Sequence, residues 1–280
     1  MTHDLNVVAP APFASAAGLG DVQRLLFDLD DTLTWQGQVP EVALRALYQA
    51  EAAGYQLIAV TGRSFAWAEM LMRWFPLAGA VAETGGLALW RTPAGRLEVL
   101  HHEPDVQIRQ AHAARRSEAA ALVLAQVVEG RLALDNVGRV YDTAYDLAEE
   151  GPVVSAHAAS EMRTLLHAQG LVTAQSSVHI NAWCVGPHGP FDKATMVDRL
   201  LQHIAGIGLD QAAATLCYVG DSKNDGAMFA RAGYSVGVRN VAPHLAWLHR
   251  QGMAPRYIVD ADGGHGFADV VAHLLAARTL

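Results

Sequence analysis

Two apolar runs that lie far apart in the chain both end in a cluster of aspartates. The first run, Val22 to Asp28, leads into Asp28-Leu29-Asp30-Asp31-Thr32. The second run, Cys217 to Val219, leads into Gly220-Asp221-Ser222-Lys223-Asn224-Asp225. Such runs are typical of buried strands in a parallel sheet, where ligands bind at the carboxyl ends of the strands. We therefore expect the two clusters to face one shared space.

The order of the predicted elements around these runs indicates an α/β protein. Strand and helix patterns alternate from Val22 to Ala82 and again after Gly186, whereas the section between them has hairpin and long-helix patterns. The sequence predicts a doubly wound, parallel-sheet, Rossmann-like core with an inserted α+β cap domain. Its predicted parts are a flexible N-terminal extension (residues 1–20), the core (residues 21–94 and 186–280) and the cap insert (residues 95–185).

Composition narrows the class of partner. The chain of 280 residues is 51% hydrophobic and 17% charged, which is too few charges for a disordered chain. Its apolar runs are shorter than the about 20 residues of a membrane span, so no transmembrane helix is expected. No basic residues precede an apolar run at the start, so no secretory signal is expected either. A net charge of −8 disfavours nucleic acid and anionic membranes. We expect a small-molecule partner, and a monomer or homodimer.

The two cysteines indicate the compartment. Cys184 and Cys217 are far apart, and each lies in an apolar run. This spacing predicts two buried thiols rather than a disulfide or a cysteine-based metal site. Together with the missing secretory signal, it predicts a cytoplasmic protein.

The clustered carboxylates predict a divalent-cation site. Several of them in one space repel each other strongly unless a cation neutralises them, and oxygen ligands of this type suit Mg²⁺. The plainer alternative for either cluster alone is a solvated strand end, because acidic residues are common in the loops that follow strands. The residues expected at the metal are Asp28, Asp30, Asp221 and Asp225.

Two further features suit an anion. Thr61-Gly62-Arg63 follows a predicted strand, so a hydroxyl and backbone N–H groups lie at a helix N-terminus, where Ser64 can cap the helix. Lys193 begins the first helix after the insert and offers a positive charge. Alone, Thr61 could be an ordinary helix cap and Lys193 a surface lysine. Their placement beside two acidic clusters favours a phosphate-binding role.

Taken in order, these motifs resemble those of the haloacid dehalogenase-like phosphatases. The matching residues are Asp28-x-Asp30-x-Thr32, Thr61, Lys193 and Gly220-Asp221-Ser222-x-Asn224-Asp225. The insert is similar to the type IIB cap of sugar-phosphate phosphatases, and Glu83-Thr84-Gly85-Gly86 resembles the acidic, glycine-containing stretch before such caps. One departure is Ala194, because relatives often have glycine after the motif lysine.

The resemblance implies a role for each residue. Asp28 would be the nucleophile that forms an aspartyl-phosphate, and Asp30 the general acid and base. Carboxylates of Asp28 and Asp221 and the backbone carbonyl of Asp30 would bind Mg²⁺, with Asp225 as a direct or water-mediated ligand. The phosphate-binding residues would be Thr61, Gly62, Lys193 and Asn224.

Further histidine, asparagine and tryptophan residues have predicted positions outside these motifs. His179 and Asn181 alternate on one predicted strand of the insert and are the candidates for substrate recognition. His101-His102-Glu103 is expected to form a solvated loop, since adjacent side chains diverge and no second histidine pair follows at metal-ligand spacing. Trp67 and Trp74 share a helical face and are expected in the core.

Three functions remain open at this point. The favoured one is a Mg²⁺-dependent phosphomonoester hydrolase that acts through an aspartyl-phosphate on a sugar phosphate or a similar small phosphorylated metabolite. A phosphomutase of phosphomannomutase type would share the motifs and the cap, but it usually needs several basic cap residues, and few are evident here. A non-catalytic metabolite-binding protein would lack a catalytic carboxylate, and none is missing.

Overall fold

The computed structural model describes residues 9–278. Contacts divide these residues into two compact units, one of residues 9–58 and 205–278 and the other of residues 59–204. The strands are β1 (Ala11–Pro12), β2 (Arg24–Phe27), β3 (Gln56–Val60), β4 (Gly79–Ala82), β5 (Leu87–Arg91), β6 (Leu97–His101), β7 (Asp142–Asp146), β8 (Val172–Gln175), β9 (His179–Trp183), β10 (Leu216–Gly220), β11 (Tyr234–Gly237) and β12 (Tyr257–Ile258). The α-helices are α1 (Glu41–Ala52), α2 (Phe65–Trp74), α3 (Val106–Gln126), α4 (Ala156–Ala168), α5 (Lys193–Ala205), α6 (Leu209–Ala212), α7 (Gly226–Arg231), α8 (Leu245–Arg250) and α9 (Gly263–Arg278).

The first unit is built on parallel strands in the order β1-β12-β11-β10-β2. All residues of β2 and β10 are buried, including Arg24 at the start of β2, as is typical of inner strands of a parallel sheet. The N–H of Gln56 at the start of β3 donates to the carbonyl of Gln23, just before β2. Helix α1 buries Ala43, Ala46, Leu47 and Ala50 at helical spacing and packs against α9.

The start of the chain differs in part from the predicted flexible extension. Residues 1–8 lie outside the described residues. Within residues 9–20, β1 pairs with β12, and Phe13 is buried with its ring edge against Tyr257. A strand of two residues has no period that a sequence pattern could reveal, so these contacts were not predictable from the alternation of residues.

The second unit contains antiparallel strands β4-β5-β6 and a separate antiparallel sheet with the order β7-β9-β8. Helices α3 and α4 pack on one face of the separate sheet, over Tyr145, Ile180 and Ala182. Since neighbouring side chains alternate between faces, Asp142, Asp146, His179 and Asn181 share the opposite face. All four are buried.

The predicted fold class is confirmed: the molecule has a Rossmann-like α/β core dominated by parallel strands, and an α+β segment interrupts it. The contact-based units change at residues 58/59 and 204/205. The insert boundaries at 94/95 and 185/186 stay a prediction. No helix within residues 9–278 combines the length and apolarity needed to cross a membrane.

The expectation that Trp67 and Trp74 lie in the core is wrong. Helix α2 buries Ala68, Leu71 and Met72, whereas Trp74 is 71% exposed and Trp67 is 37% exposed. The buried stripe of this amphipathic helix is formed by Ala68, Leu71 and Met72, and the two indoles lie outside it.

Candidate active site

Three buried aspartates converge in the first unit. Asp28 directly follows β2 and Asp221 directly follows β10, and the parallel pairing of these strands places their ends side by side. The N–H of Asp28 donates to the carbonyl of Val219 over 3.0 Å. Among the described residues, Asp28, Asp221 and Asp225 each place a carboxylate oxygen within 4.8 Å of the others. The two motifs thus meet as the sequence predicts.

Asp225 is held by the turn that follows β10. Its Oδ2 accepts the N–H groups of Asp221 at 3.0 Å and of Ser222 at 2.9 Å, and its Oδ1 accepts the hydroxyl of Tyr218. Gly220 lies against this carboxylate, since a Cβ there would be 2.6 Å from Cγ of Asp225. The glycine is therefore required by the close approach of the carboxylate to the backbone.

Asp221 lies in a strongly acidic environment. Burial raises the pKa of its carboxyl well above the ordinary value, and the neighbouring Asp225, Asp28 and Asp31 raise it further. The hydroxyl of Thr32 donates to Oδ1 of Asp221 and opposes this pKa shift. A divalent cation would supply the missing positive charge. Buried carboxylate oxygens at this spacing fit Mg²⁺, a hard cation that prefers oxygen ligands.

The loop after Asp28 separates that residue from Asp30. The carbonyl of Leu29 accepts the N–H groups of Thr32, Leu33 and Thr34, so the chain turns tightly directly after the strand. Asp28 is 4% exposed, whereas Asp30 is only partly buried. The two carboxylates therefore have different environments, as different chemical roles require.

Asn224 lies in the same turn as Asp225. Its Oδ1 accepts the hydroxyl of Ser222 at 2.9 Å. This hydrogen bond orients the amide, and the role of Asn224 in phosphate binding stays a prediction.

The predicted phosphate-binding turn, Thr61-Gly62-Arg63, lies in the second unit. Thr61 is fully buried, and its Oγ1 accepts the N–H of Arg63 at 3.0 Å. The expected cap at Ser64 is wrong: its hydroxyl makes no hydrogen bond to any residue in the described range. Instead the N–H of Phe65, the first residue of α2, donates to Oε1 of Glu83 at 2.9 Å.

The carboxylate of Glu83 also accepts hydrogen bonds from a second segment of the chain. It accepts the N–H groups of Val140 at 3.0 Å, Tyr141 at 2.5 Å and Asp142 at 3.2 Å. The side chain is fully buried. Burial and the charge of Asp142 raise its pKa to about 7, although Arg139 and these N–H groups act in the opposite direction.

Lys193, the other predicted phosphate ligand of this unit, is fully buried at the first residue of α5. Gly85 packs against the preceding peptide: a Cβ on Gly85 would lie 2.1 Å from the carbonyl oxygen of Asp192 and 3.1 Å from the nitrogen of Lys193. The N–H of the adjacent Thr84 donates to the carbonyl of Thr61. The stretch from Glu83 to Gly85 therefore contacts the segments of both predicted phosphate ligands.

The candidate recognition residues His179 and Asn181 lie beside the Thr61-Gly62-Arg63 turn. The amide of Asn181 donates to Oδ2 of Asp142 at 2.7 Å and to the carbonyl of Gly62 at 3.3 Å. Nε2 of His179 lies 3.1 Å from Oε2 of Glu149. Whether either residue contacts substrate stays a prediction.

Two arginines at this turn are further functional candidates that sequence reasoning missed. Arg63 is buried and donates two hydrogen bonds of 2.8 Å to Glu149. Arg139 donates to the carbonyl of Gly62 at 2.9 Å and to Oδ1 of Asp142 at 2.8 Å. Glu149 is 86 positions from Arg63 and Gly62 is 77 positions from Arg139, so no local motif identifies these two contacts. Two contacts lower the pKa of Glu149 to about 2: the larger effect comes from His179 and a smaller one from Arg63.

The expectation of a solvated loop at His101-His102-Glu103 is wrong. His102 is 6% exposed and Glu103 is 2% exposed. The guanidinium of Arg199 donates to the carbonyls of His101 and His102, and the ring of His102 packs against Phe191. Burial by a helix distant in sequence overrides the polar composition of this segment.

Comparisons with known proteins agree with the motifs. A family model described as haloacid dehalogenase-like hydrolase matches residues 25–92 and 166–247, which is more than half of the chain. A search of curated protein sequences finds no match.

Several solved structures share the fold. A Thermoplasma acidophilum protein has a TM-score of 0.67 at 16% identity, with 91% of this chain and 98% of that chain covered. The sucrose-phosphatase of Synechocystis sp. PCC6803, in complex with sucrose and phosphate, has a TM-score of 0.60 at 19% identity, with 90% and 98% covered. A subclass IIB sugar phosphatase has a TM-score of 0.60 at 13% identity, with 91% and 100% covered.

Proposed function

The chain belongs to the haloacid dehalogenase-like hydrolases, and from this premise we propose that it is a Mg²⁺-dependent phosphatase. The proposed reaction is hydrolysis of the phosphate monoester of a sugar phosphate or a similar small metabolite through an aspartyl-phosphate. The observation that carries the proposal is the buried convergence of Asp28, Asp221 and Asp225 at adjoining strand ends.

Mg²⁺ would be held by these three carboxylates together with the backbone carbonyl of Asp30, and it would offset the negative charge of the site and of the substrate. Thr32 supports this set because its hydroxyl fixes Asp221. Tyr218 and two backbone N–H groups fix Asp225. Hydrogen bonds therefore orient two of the proposed ligands, Asp221 and Asp225.

Asp28 is the proposed nucleophile. Its carboxylate oxygen attacks phosphorus, and the bond from phosphorus to the ester oxygen breaks. Asp30 donates a proton to the departing alkoxide and then accepts a proton from the water that attacks the aspartyl-phosphate. This second step releases inorganic phosphate, restores the carboxylate of Asp28 and returns the proton to Asp30. The partly exposed position of Asp30 suits exchange with water and the leaving group.

Thr61, Gly62, Lys193 and Asn224 keep their proposed role in binding the phosphoryl oxygens. Thr61 accepts the N–H of Arg63 at its oxygen, so its own O–H remains a donor for an anion. Lys193 would contribute its ammonium group, and its position at the first residue of α5 adds a helix N-terminus, which favours anions. Both features stabilise the charge that shifts during phosphoryl transfer.

A sugar phosphate is the proposed substrate class because two of the structural neighbours are sugar phosphatases by name. The polar face of the β7-β9-β8 sheet supports this class, since hydroxyl groups need carboxylate and amide partners of the kind Asp142 and Asn181 provide. The proposal includes a cytoplasmic location, in keeping with the buried free thiols Cys184 and Cys217. It also includes a monomer or homodimer that binds neither nucleic acid nor membranes.

The test is phosphate release from p-nitrophenyl phosphate and from a panel of phosphorylated sugars and other metabolites. We expect hydrolysis that disappears after chelation with EDTA, returns with added Mg²⁺ and is absent in Asp28→Asn. A phosphomutase would instead require a sugar bisphosphate activator, and a binding protein would release no phosphate. Full activity after exhaustive chelation would contradict the proposal.

A further inference from the structure

The carboxylate of Glu83 joins two segments that are distant in sequence. Its Oε1 accepts the N–H of Phe65, at the start of α2, and both oxygens accept N–H groups from Val140 to Asp142, which lead into β7. A buried carboxylate with this many backbone donors is held in one position. One side chain thus fixes the start of α2 relative to the start of β7.

The backbone around Glu83 contacts the turn before α2. The N–H of Glu83 donates to the carbonyl of Arg63, and the N–H of Thr84 donates to the carbonyl of Thr61. Glu83 and Thr84 have φ values of 50° and 57°, and Gly85 has 107°. Left-handed backbone at a non-glycine residue costs about 1–2 kcal/mol and persists where the surroundings impose it. Here the surroundings are the predicted phosphate-binding turn.

Residues 139–142 also reach this turn from a second direction. Arg139 and Asn181 both donate to the carbonyl of Gly62, and both donate to the carboxylate of Asp142. Two separate sets of hydrogen bonds, one through Glu83 and one through Gly62, therefore join residues 139–142 to the turn. The turn has little freedom to shift alone.

We propose that Glu83 is a positioning residue for phosphate binding: its carboxylate ties the start of α2, which follows the Thr61-Gly62-Arg63 turn, to residues 140–142, and its backbone N–H donates to the turn itself. This inference rests on the proposed function, because it takes Thr61 and Gly62 as phosphate ligands. Glu83 itself does not contact the substrate. It determines the position of the Thr61 hydroxyl and of the N–H groups at the start of α2.

The first test is Glu83→Gln in the full chain, with the affinity for inorganic phosphate measured by calorimetry in the presence of Mg²⁺. The amide keeps the size but replaces one acceptor oxygen with an N–H₂ group that faces N–H donors. We expect the dissociation constant of phosphate to rise by about tenfold or more, and kcat to fall by a similar factor, because small misplacements of binding groups have effects of this size. The half-activating Mg²⁺ concentration should stay within about twofold.

Glu103→Gln is the matched control. Glu103 is equally buried in the same unit, and its carboxylate accepts the N–H of Asp105 rather than any N–H of the turn or of β7. A merely structural role for Glu83 would lower the melting temperature and the active fraction, as Glu103→Gln can, but would leave the phosphate dissociation constant unchanged. That result would overturn the proposal.

A second pair of variants decides the question if Glu83→Gln does not fold. Phe65→Pro removes the N–H by which α2 donates to Oε1 of Glu83, at the first helical position, where proline is well tolerated. Phe65→Ala loses the same ring but keeps the N–H. We expect the proline variant to bind phosphate several-fold more weakly than the alanine variant, and equal affinities would overturn the proposal.

These measurements separate the inference from the proposed function. Wild-type protein that binds phosphate but hydrolyses no ester would overturn the proposed function, and the variants would still decide the role of Glu83. Wild-type protein that binds no phosphate would overturn both.

Discussion

The hydroxyl of Thr32 donates a hydrogen bond to Oδ1 of Asp221 over 3.0 Å, and the two residues are 189 positions apart. Each belongs to one of the two acidic clusters, so this bond joins the clusters directly. It also places a donor on the carboxylate whose pKa is raised by burial and by the surrounding aspartates. Thr32 therefore stabilises the ionised form of Asp221, which is the form that binds a cation.

Thr32→Val should weaken Mg²⁺ binding without abolishing the reaction. Valine keeps the shape of threonine but removes the donor, which costs about 1 kcal/mol of stabilisation of the ionised carboxylate. We expect the half-activating Mg²⁺ concentration to rise about fivefold, with the rate at saturating Mg²⁺ nearly unchanged. Asp221→Ala should weaken metal binding and turnover together.

The measurement for these variants is a Mg²⁺ titration of p-nitrophenyl phosphate hydrolysis. Thr164→Val is the control, because its hydroxyl donates to the carbonyl of Ser160 on the exposed face of α4. If Asp221→Ala titrated like the wild type, the metal site would lie elsewhere.

Asp28 and Asp30 should differ in their effect on the phosphoenzyme. Asp28→Asn keeps the size of the buried residue but removes the nucleophile, so turnover and a hydroxylamine-sensitive phosphoenzyme should both disappear. Asp30→Asn should slow both steps but retain some phosphoenzyme with an activated ester, whose leaving group needs little protonation. Rapid-quench labelling distinguishes the two. Detection of a phosphoenzyme in Asp28→Asn would contradict the assignment of Asp28 as the nucleophile.

The sequence predicts those parts of the molecule in which an apolar strand and its functional residues are adjacent in one segment. Strands β2 and β10 are mainly apolar runs, and the aspartates follow them directly, so fold class and metal cluster could both be inferred. The topology rule for parallel sheets then brings Asp28 and Asp221 together without any knowledge of contacts.

The parts that could not be predicted depend on contacts between distant segments. Ser64 has the composition of a helix cap, yet the buried carboxylate of Glu83 takes that role. Glu149 has no local motif, and only the fold brings it to Arg63 and His179. His102 is buried although it is polar, because Phe191 packs against its ring and Arg199 donates to its carbonyl, which no local pattern records.

Glu149→Gln should reduce stability in a pH-dependent way. The contacts with His179 and Arg63 lower the pKa of Glu149 to about 2, from an ordinary value near 4.5. A carboxyl whose pKa is lower in the folded state contributes stability above the unfolded pKa, and this contribution is lost as pH falls from about 4.5 to about 2. At pH 7 the variant should be less stable by about 1–3 kcal/mol, because it leaves the buried Arg63 without its carboxylate.

Urea unfolding of the wild type and Glu149→Gln between pH 7 and pH 2.5 measures this difference. It should be constant down to about pH 5 and shrink below it. Glu150→Gln is the control, because its carboxylate accepts a backbone N–H at an exposed position instead of a buried ion pair. A difference between wild type and Glu149→Gln that does not change with pH would contradict the assigned pKa shift.

Gly85→Ala should be far more damaging than Gly95→Ala, although both glycines have left-handed backbone, with φ of 107° and 79°. At Gly95, in the turn between β5 and β6, an added Cβ meets no described atom within 4 Å, so only backbone strain of about 1 kcal/mol is expected. At Gly85 the Cβ would lie 2.1 Å from the carbonyl oxygen of Asp192, and backbone cannot rotate away as a flexible side chain can. We expect a loss of at least about 3 kcal/mol in the free energy of unfolding.

In the fraction of Gly85→Ala that still folds, displacement of Asp192 also shifts Lys193, so the affinity for inorganic phosphate should fall in Gly85→Ala and stay unchanged in Gly95→Ala. Denaturation and phosphate calorimetry on the two variants measure both effects, and equal behaviour of the pair would show that the approach of Gly85 to Asp192 does not position Lys193.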